Sequence, residues 1–450
     1  MNILPAIRRN LIEPLWALRN GTPLRKYWKS VEKTQYLPVA VLKDRQWVKL
    51  KEIIEFAYRN NDYYRSTFKK CGITPEEIQS PNDIVKIPIL TKKDIRENGD
   101  SLISSGFLKT KLMEAKTGGS TGKSLKLYMT EESSEMKNGC ARRHDRWSGW
   151  EVGEPMAAVW GNPVRPVGLK NKILSFLLAP IICLDTMAVT KDSVVKFSDE
   201  WRRIKPTLLF GHAHSLFLLA KYVIDYDIKS ITPKSIISSS MMLLPHERTV
   251  IEKTFGVKVF DRYGCEEVGL ISSECEKHEG MHINIDTLFV EFIKEDGTQT
   301  KHGENGNIVI TDLLNQAMPF IRYKVEDMGM PLDRACSCGR GLPLMGNVSG
   351  RVADFLIRPD GTKVAGVSLI ENTLTKIPGI EQMQIIQHDL KSIELKIVAG
   401  KTFSEENRLA LITYIYKIFD SNITIELNHV SEIPPETNGK YRFAISRVVE

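Results

Sequence analysis

Between Asp44 and Lys70 apolar side chains recur at Trp47, Leu50, Ile53, Ile54 and Ala57. Steps of three and four residues place them on one face of an amphipathic helix. Pro81, Pro88 and the run Thr91-Lys92-Lys93-Asp94 then punctuate a series of turns. From Leu102 to Thr311 the period switches repeatedly. Short β-rich runs at Ala157–Trp160, Leu208–Phe210, Ser235–Ser238 and Lys258–Asp261 alternate with helical patterns at Ser215–Tyr226 and Pro245–Phe255. Such alternation predicts an α/β architecture with largely parallel sheets. The apolar run Ile173–Leu184 contains Ser175 and Pro180 and falls short of the ~20 residues that a membrane span needs. It is expected to be a buried segment near a pocket wall.

The pattern changes at Gly350-Arg351-Val352-Ala353-Asp354. Beyond it, Gln382–Ile386, Ser392–Val398 and Ile423–Val430 alternate like half-exposed strands, and Glu405–Phe419 has helical periodicity. A small α+β unit of roughly a hundred residues is expected, ending in the turn-rich loop Pro434–Lys440. The chain therefore divides into a large N-terminal multi-sheet α/β domain, residues 1–350, and a small C-terminal domain, residues 351–450. Its 450 residues exceed the ~250–300 at which a single core stops growing.

Composition narrows the class. Hydrophobic residues make up 42% and charged residues 26%, which is ordinary for a globular protein. The net charge of +7 is spread along the chain, so nothing points to a nucleic acid, and an anionic small molecule suits it equally well. Arginines interrupt the first apolar residues before a signal-peptide core forms, so no signal peptide is expected; a helix resting on a membrane surface is the lesser alternative for that stretch. Seven cysteines form no disulfide framework, which implies reduced thiols and a cytoplasmic protein.

Four segments carry candidate chemistry. Thr117-Gly118-Gly119-Ser120-Thr121-Gly122-Lys123-Ser124 can turn several N–H groups towards one anion, with hydroxyls and a lysine adding donors and charge. It is no Walker A loop. Counting back from Gly122, the required glycine falls on Thr117, and Leu125–Met129 alternates like a strand where a helix should follow. A phosphate loop joining two strands fits, against an ordinary flexible hairpin. Asp261-Arg262-Tyr263-Gly264-Cys265-Glu266-Glu267 offers an aromatic face, close backbone access and a carboxylate suited to Mg²⁺; buried Tyr-Gly turns are common without function. Phe320–Asp327 reads as a buried strand running into two acids, either a ribose-binding carboxylate or a solvated turn. Asn438-Gly439-Lys440 presents a lysine on a loop, where it can act as a point charge.

In this order the segments resemble the adenylate-forming superfamily, and within it the phenylacetate–coenzyme A ligase branch with its CapK-like members. Tyr63-Tyr64-Arg65 and Ile87-Pro88-Ile89-Leu90-Thr91-Lys92 also look like that branch's opening segment. The resemblance runs from about Leu37 onwards. It implies that Thr117, Gly118, Gly119, Ser120, Thr121, Gly122 and Lys123 wrap the ATP phosphates. Tyr263 and Gly264 would meet the adenine, Glu267 would help hold Mg²⁺, Asp327 would bind the ribose hydroxyls and Arg351 would support the nucleotide. Asp354 would be the hinge, and Lys440 would sit between the substrate carboxylate and the α-phosphate. Two departures stand out: Glu326 where the family usually has Gly, and Ala353 where it often has an acid.

Cys336-Ser337-Cys338 puts two thiols on one turn, and Cys275 with His282, or with His278 as rival, offers the other half of a four-ligand zinc site. Unpaired cytosolic thiols are the plainer reading of the spacing. Similar Cys/His sets in the related branch imply structural Zn²⁺.

The expected function is activation of a carboxylic acid to an acyl-adenylate with release of pyrophosphate, then transfer to coenzyme A or a phosphopantetheine carrier protein. The alternatives are an adenylating amide or ester synthase in polysaccharide modification, a non-catalytic nucleotide-binding relative, and, last, an ADP-forming phosphoryl transferase. The acid pocket is placed near Trp160, Gly211–Ser215 and Ser238–Met242; His212 and His214 hint at a polar acid, although satisfied core histidines are the commoner outcome. Acceptor, acid and oligomeric state stay open.

Overall fold

The computed structural model of the chain describes residues 3–116, 125–161, 168–294, 296–346, 348, 355–400, 402–433 and 442–448. The predicted first amphipathic helix is Val39–Asn60, burying Leu42, Leu50, Ile53, Ile54 and Ala57. Asn61 ends it and caps the next helix, Asp62–Cys71, by accepting from Tyr64 N at 3.2 Å. That helix stops at Gly72, whose φ of 65° suits a residue without a Cβ.

Strands are numbered in chain order. β1 (Met113–Lys116) and β2 (Lys126–Met129) form an antiparallel hairpin. β3 (Met156–Trp160), β4 (Ile181–Asp185), β5 (Leu208–His212), β6 (Ser235–Ser239) and β7 (Val259–Cys265) run parallel, with helices in the connections. β6 is buried along its whole length because both of its faces are covered. β8 (Gly269–Glu274) and β9 (Met281–Ile283) continue the sheet antiparallel. β10 (Leu288–Ile293), β11 (Gly306–Asp312) and β12 (Tyr323–Gly329) form a separate antiparallel sheet. β13 (Pro331–Leu332) and β14 (Leu344–Met345) then close the large sheet in the order β13-β14-β9-β8-β7-β6-β5-β3-β4. The expectation of largely parallel sheets therefore holds only for β3–β7. The link from β7 to β8 is too short for a crossover, so the chain must fold back antiparallel.

A smaller C-terminal unit follows. β15 (Phe355–Ile357) pairs with β16 (Lys363–Ala365), while β17 (Ile380–Asp389), β18 (Ser392–Ala399), β19 (Thr424–His429) and β20 (Ala444–Ser446) form a sheet in the order β19-β18-β17-β20. Helix Glu405–Phe419 makes the parallel crossover from β18 to β19. Leu395, Ile397, Leu411, Ile415 and Phe419 give this unit its own core. It rests on the loop after β4, where Arg358 Nη2 donates to Met187 O at 2.9 Å. The boundary expected at 350/351 lies outside the described residues.

One expectation is corrected. Ile173–Leu184 is buried only in its strand half, at Ile182 and Leu184. It divides into an exposed helix, Leu169–Leu178, and the edge strand β4. Leu169 is 75% and Ile173 50% exposed. As the outermost strand, β4 has no further layer to cover what precedes it.

Candidate active site and metal centre

The opening segment and the arginine–aspartate strand form one assembly. Leu90 adds to β12 as a parallel bridge to Tyr323, through Leu90 N to Arg322 O and Lys324 N to Leu90 O, both 2.9 Å. Arg322 is buried. Its Nε and Nη2 donate to Glu291 at 3.1 Å, and its Nη1 donates to Ile87 O at 2.6 Å. Buried charge is tolerated here because it is paired and fully directed. This arginine thus holds the wall from which Asp327 projects.

Two tyrosine–carboxylate bonds tie β12 to the end of β7 in opposite senses. Tyr263 OH donates to Asp327 Oδ2 at 2.9 Å, and Tyr323 OH donates to Glu267 Oε1 at 2.8 Å. Asp327 and Glu267 are both buried. Burial first, then the Glu267 charge, raises the Tyr323 phenol well above its usual value, so it remains a donor. Gly264 is required sterically. A Cβ there would lie 2.7 Å from Gly269 O, and the pairing with β8 shifts register at this point.

Tyr263, Gly264 and Asp327 line a cleft of about 130 Å³ with Ser240, Met242, Asp261 and Val348. Burial, and then the nearby Glu274, push the Asp261 carboxyl up to about 7. Beside the cleft, Arg262 pairs with Asp145 at 2.6 Å and lies over Phe210 at 4.7 Å. Trp160 stacks on Phe210 at 5.3 Å and meets His212 at 3.8 Å. The two histidines differ. His214 pairs with Glu247, a satisfied core arrangement. His212 is fully buried with no hydrogen-bond partner on either ring nitrogen, and burial, then His214, lowers it to about 3.

Sequence reasoning missed the role of Lys92. Its ammonium, 3% exposed, pairs with Glu326 at 2.8 Å. The signal was present in the departure at Glu326, but only the fold brings a residue 234 positions away beside it. Thr117 to Lys123, Arg351, Asp354 and Lys440 lie outside the described residues; β1 and β2 flank residues 117–124, which is common to a phosphate loop and an ordinary hairpin.

The thiols converge. The ligand atoms of Cys275, His282, Cys336 and Cys338 all lie within 4.8 Å of one another. Cys275 Sγ is 3.6 Å from Cys336 Sγ, and Cys338 Sγ is 3.3 Å from His282 Nε2. His282 Nδ1 donates to Leu342 O at 3.1 Å, which turns the Nε2 lone pair towards the thiols. Burial holds this ring at about 4 and so neutral. Burial raises the Cys275 and Cys336 thiols; against the same burial, the Arg340 amide draws Cys338 below its usual value. Of the two candidate histidines, the fold selects His282. His278 pairs with Glu274 at 3.0 Å.

Comparison with known proteins agrees with this geometry. Residues 356–447 match the CapK C-terminal domain model. Protein CapK of Staphylococcus aureus is 25% identical over 89% of this chain and 88% of its own. The phenylacetate–coenzyme A ligase of Thermus thermophilus is 24% identical over 82% and 84%. The chain is similar to the CapK and phenylacetate–coenzyme A ligase branch of the adenylate-forming superfamily. Among solved structures, 2-hydroxyisobutyryl-CoA ligase with 2-HIB-AMP and CoA, in the thioesterification state, superposes with a TM-score of 0.63, 16% identity and 92% of both chains covered. The open conformation of that ligase gives a TM-score of 0.60 and 17% identity, again over 92% of both chains. The fold of this CapK-like chain is thus that of an acyl-CoA ligase, and the resemblance implied by its motifs is the one the comparisons return.

Proposed function

We propose that this chain is an AMP-forming acid–thiol ligase, activating a carboxylic acid as an acyl-adenylate with release of pyrophosphate. The observation that supports this best is the convergence of Tyr263, Gly264 and Asp327 on one cleft, with the carboxylate already oriented by the tyrosine. Tyr263 and Gly264 receive the adenine face, and Asp327 accepts the ribose hydroxyls. The loop Thr117–Lys123 cradles the phosphates from the β1–β2 hairpin, and Arg351 supports the nucleotide. Glu267, a buried carboxylate held by Tyr323, has the chemistry to ligate Mg²⁺; bound there, Mg²⁺ would neutralise phosphate charge. Attack of one anion on another is mainly a problem of positioning and charge neutralisation. Lys440 carries that role, on a lid domain of residues 351–450 that hinges at Asp354.

Coenzyme A is the proposed acceptor, with a carrier protein as its variant. The centre of Cys275, His282, Cys336 and Cys338 suits a structural Zn²⁺ in number, donor type and spacing. A cytoplasmic location accords with three thiols committed to a metal. The likeness to CapK over 89% of the chain favours a second reading, transfer of the acyl group to an amine or hydroxyl in polysaccharide modification. Acid-dependent ATP–pyrophosphate exchange across aryl, fatty, hydroxy and amino acids tests the first step. Exchange with one class supports adenylation; none with any acid leaves only a nucleotide-binding relative. Acyl-CoA formation, against acylation of an amino sugar, then separates the two acceptors.

A further inference from the structure

Two apolar helices lie together on the surface. The first runs from Leu4 to Asn20 with one π-turn at Arg8–Ile12. It exposes Ile7, Leu11, Leu15 and Leu18 by 38%, 55%, 58% and 81%, and their spacing of four, four and three residues keeps them on one stripe. Its inner face buries Ala17 and Glu13, the latter paired with Arg25 at 2.8 Å and Arg142 at 2.6 Å. The second helix, Leu169–Leu178, exposes Leu169, Ile173 and Phe176. Arg8 joins the two. Its Nη2 donates to Phe176 O at 2.9 Å, and its guanidinium lies over the Phe176 ring at 5.1 Å. Contiguous exposed apolar surface on two adjacent helices marks an interaction face.

Charge indicates what covers it. The one acid on these helices, Glu13, is buried between arginines, whereas Arg19 and Lys170 are exposed. Lys26 and Lys29, on the next helix, are exposed as well. Acids lie nearby, Glu151 paired with Arg9 at 2.9 Å and Glu132 accepting from Tyr27, but the two helices themselves expose cations and no acid among their described side chains, which fits a surface that offers both hydrocarbon and negative charge. Among the described residues no helix is long and apolar enough to cross a membrane.

We propose that this two-helix face docks on an anionic lipid bilayer, with the helix Leu4–Asn20 lying in the plane of the interface. The proposal is independent of the adenylation chemistry. The full chain is sedimented with vesicles of phosphatidylglycerol and phosphatidylcholine in equal parts, and with phosphatidylcholine alone. Binding to the mixed vesicles is expected, at least about tenfold weaker without the anionic lipid and reduced by salt. The pairs Leu11→Gln/Leu15→Gln and Leu169→Gln/Ile173→Gln should each weaken it by at least about tenfold, with the thermal midpoint unchanged. No sedimentation of the wild type, or equal sedimentation of the variants, overturns the proposal. So does a dimer, seen by light scattering, that the same substitutions split.

Discussion

Glu326 holds a backbone φ of 73° while its carboxylate is gripped by the Lys92 ammonium at 2.8 Å. That conformation is the left-handed one in which a Cβ is costly and glycine is not. The relationship accounts for the one departure next to Asp327. Where the family usually has Gly, this chain accepts strain and offsets it with an ion pair whose cation is buried.

Strain and ion pair can be separated by substitution. Glu326→Ala keeps the strained φ and loses the pair, whereas Glu326→Gly loses both. Urea midpoints should therefore rank wild type and Glu326→Gly close together, with Glu326→Ala less stable than Glu326→Gly by about 1 kcal/mol. Equal stability of the two variants would mean that the backbone carries no strain here.

Lys440→Ala should lower ATP–pyrophosphate exchange by roughly 10²–10³ while leaving the thermal midpoint intact, as expected for a charge used mainly in the transition state. Asp327→Asn should instead raise the KM for ATP by about tenfold, because it weakens a charge-assisted bond present in the ground state. Unchanged kinetics in both would remove the adenylating site.

Metal analysis of the purified chain should find zinc in a one-to-one ratio. Cys336→Ser should abolish it and lower Tm by at least about 5 °C, since the site joins β9 and the Cys336–Cys338 turn across the sheet edge. A metal-free protein with unaltered Tm in the variant would show that the cluster holds thiols only.

Asp261 supplies a pH signature. Its folded value is about 7 against an ordinary 3.8, so the fold favours the protonated form. Its destabilisation is absent below pH 3.8, grows as pH rises and is complete above about 7. Asp261→Asn should accordingly raise Tm by a few °C at pH 8 and by little at pH 4. A gain equal at both values would place the cause in packing instead of charge.

Much of the architecture was legible because period and motif are local properties. The helices Pro245–Phe255 and Glu405–Phe419 have the bounds their patterns predicted, and the strand after the glycine-rich loop, β2, is what set that loop apart from a Walker A motif. The exposed helix Leu169–Leu178 was misread because apolar composition says how much burial a segment favours and not whether anything lies beside it. Sequence spacing also left His278 open as a rival to His282, since both are within reach of Cys275 along the chain.

By itself, then, the sequence determined the classes of element, the order of the motifs and the donor types of the candidate metal centre. These depend on side-chain chemistry and short-range spacing. Only the tertiary structure decided that His282 and not His278 faces the thiols, that Tyr263 meets Asp327, and that Lys92 steadies Glu326. Each of these is a contact between segments set by the register and packing of sheets, and register is fixed by burying whole faces at once rather than by either residue of the pair.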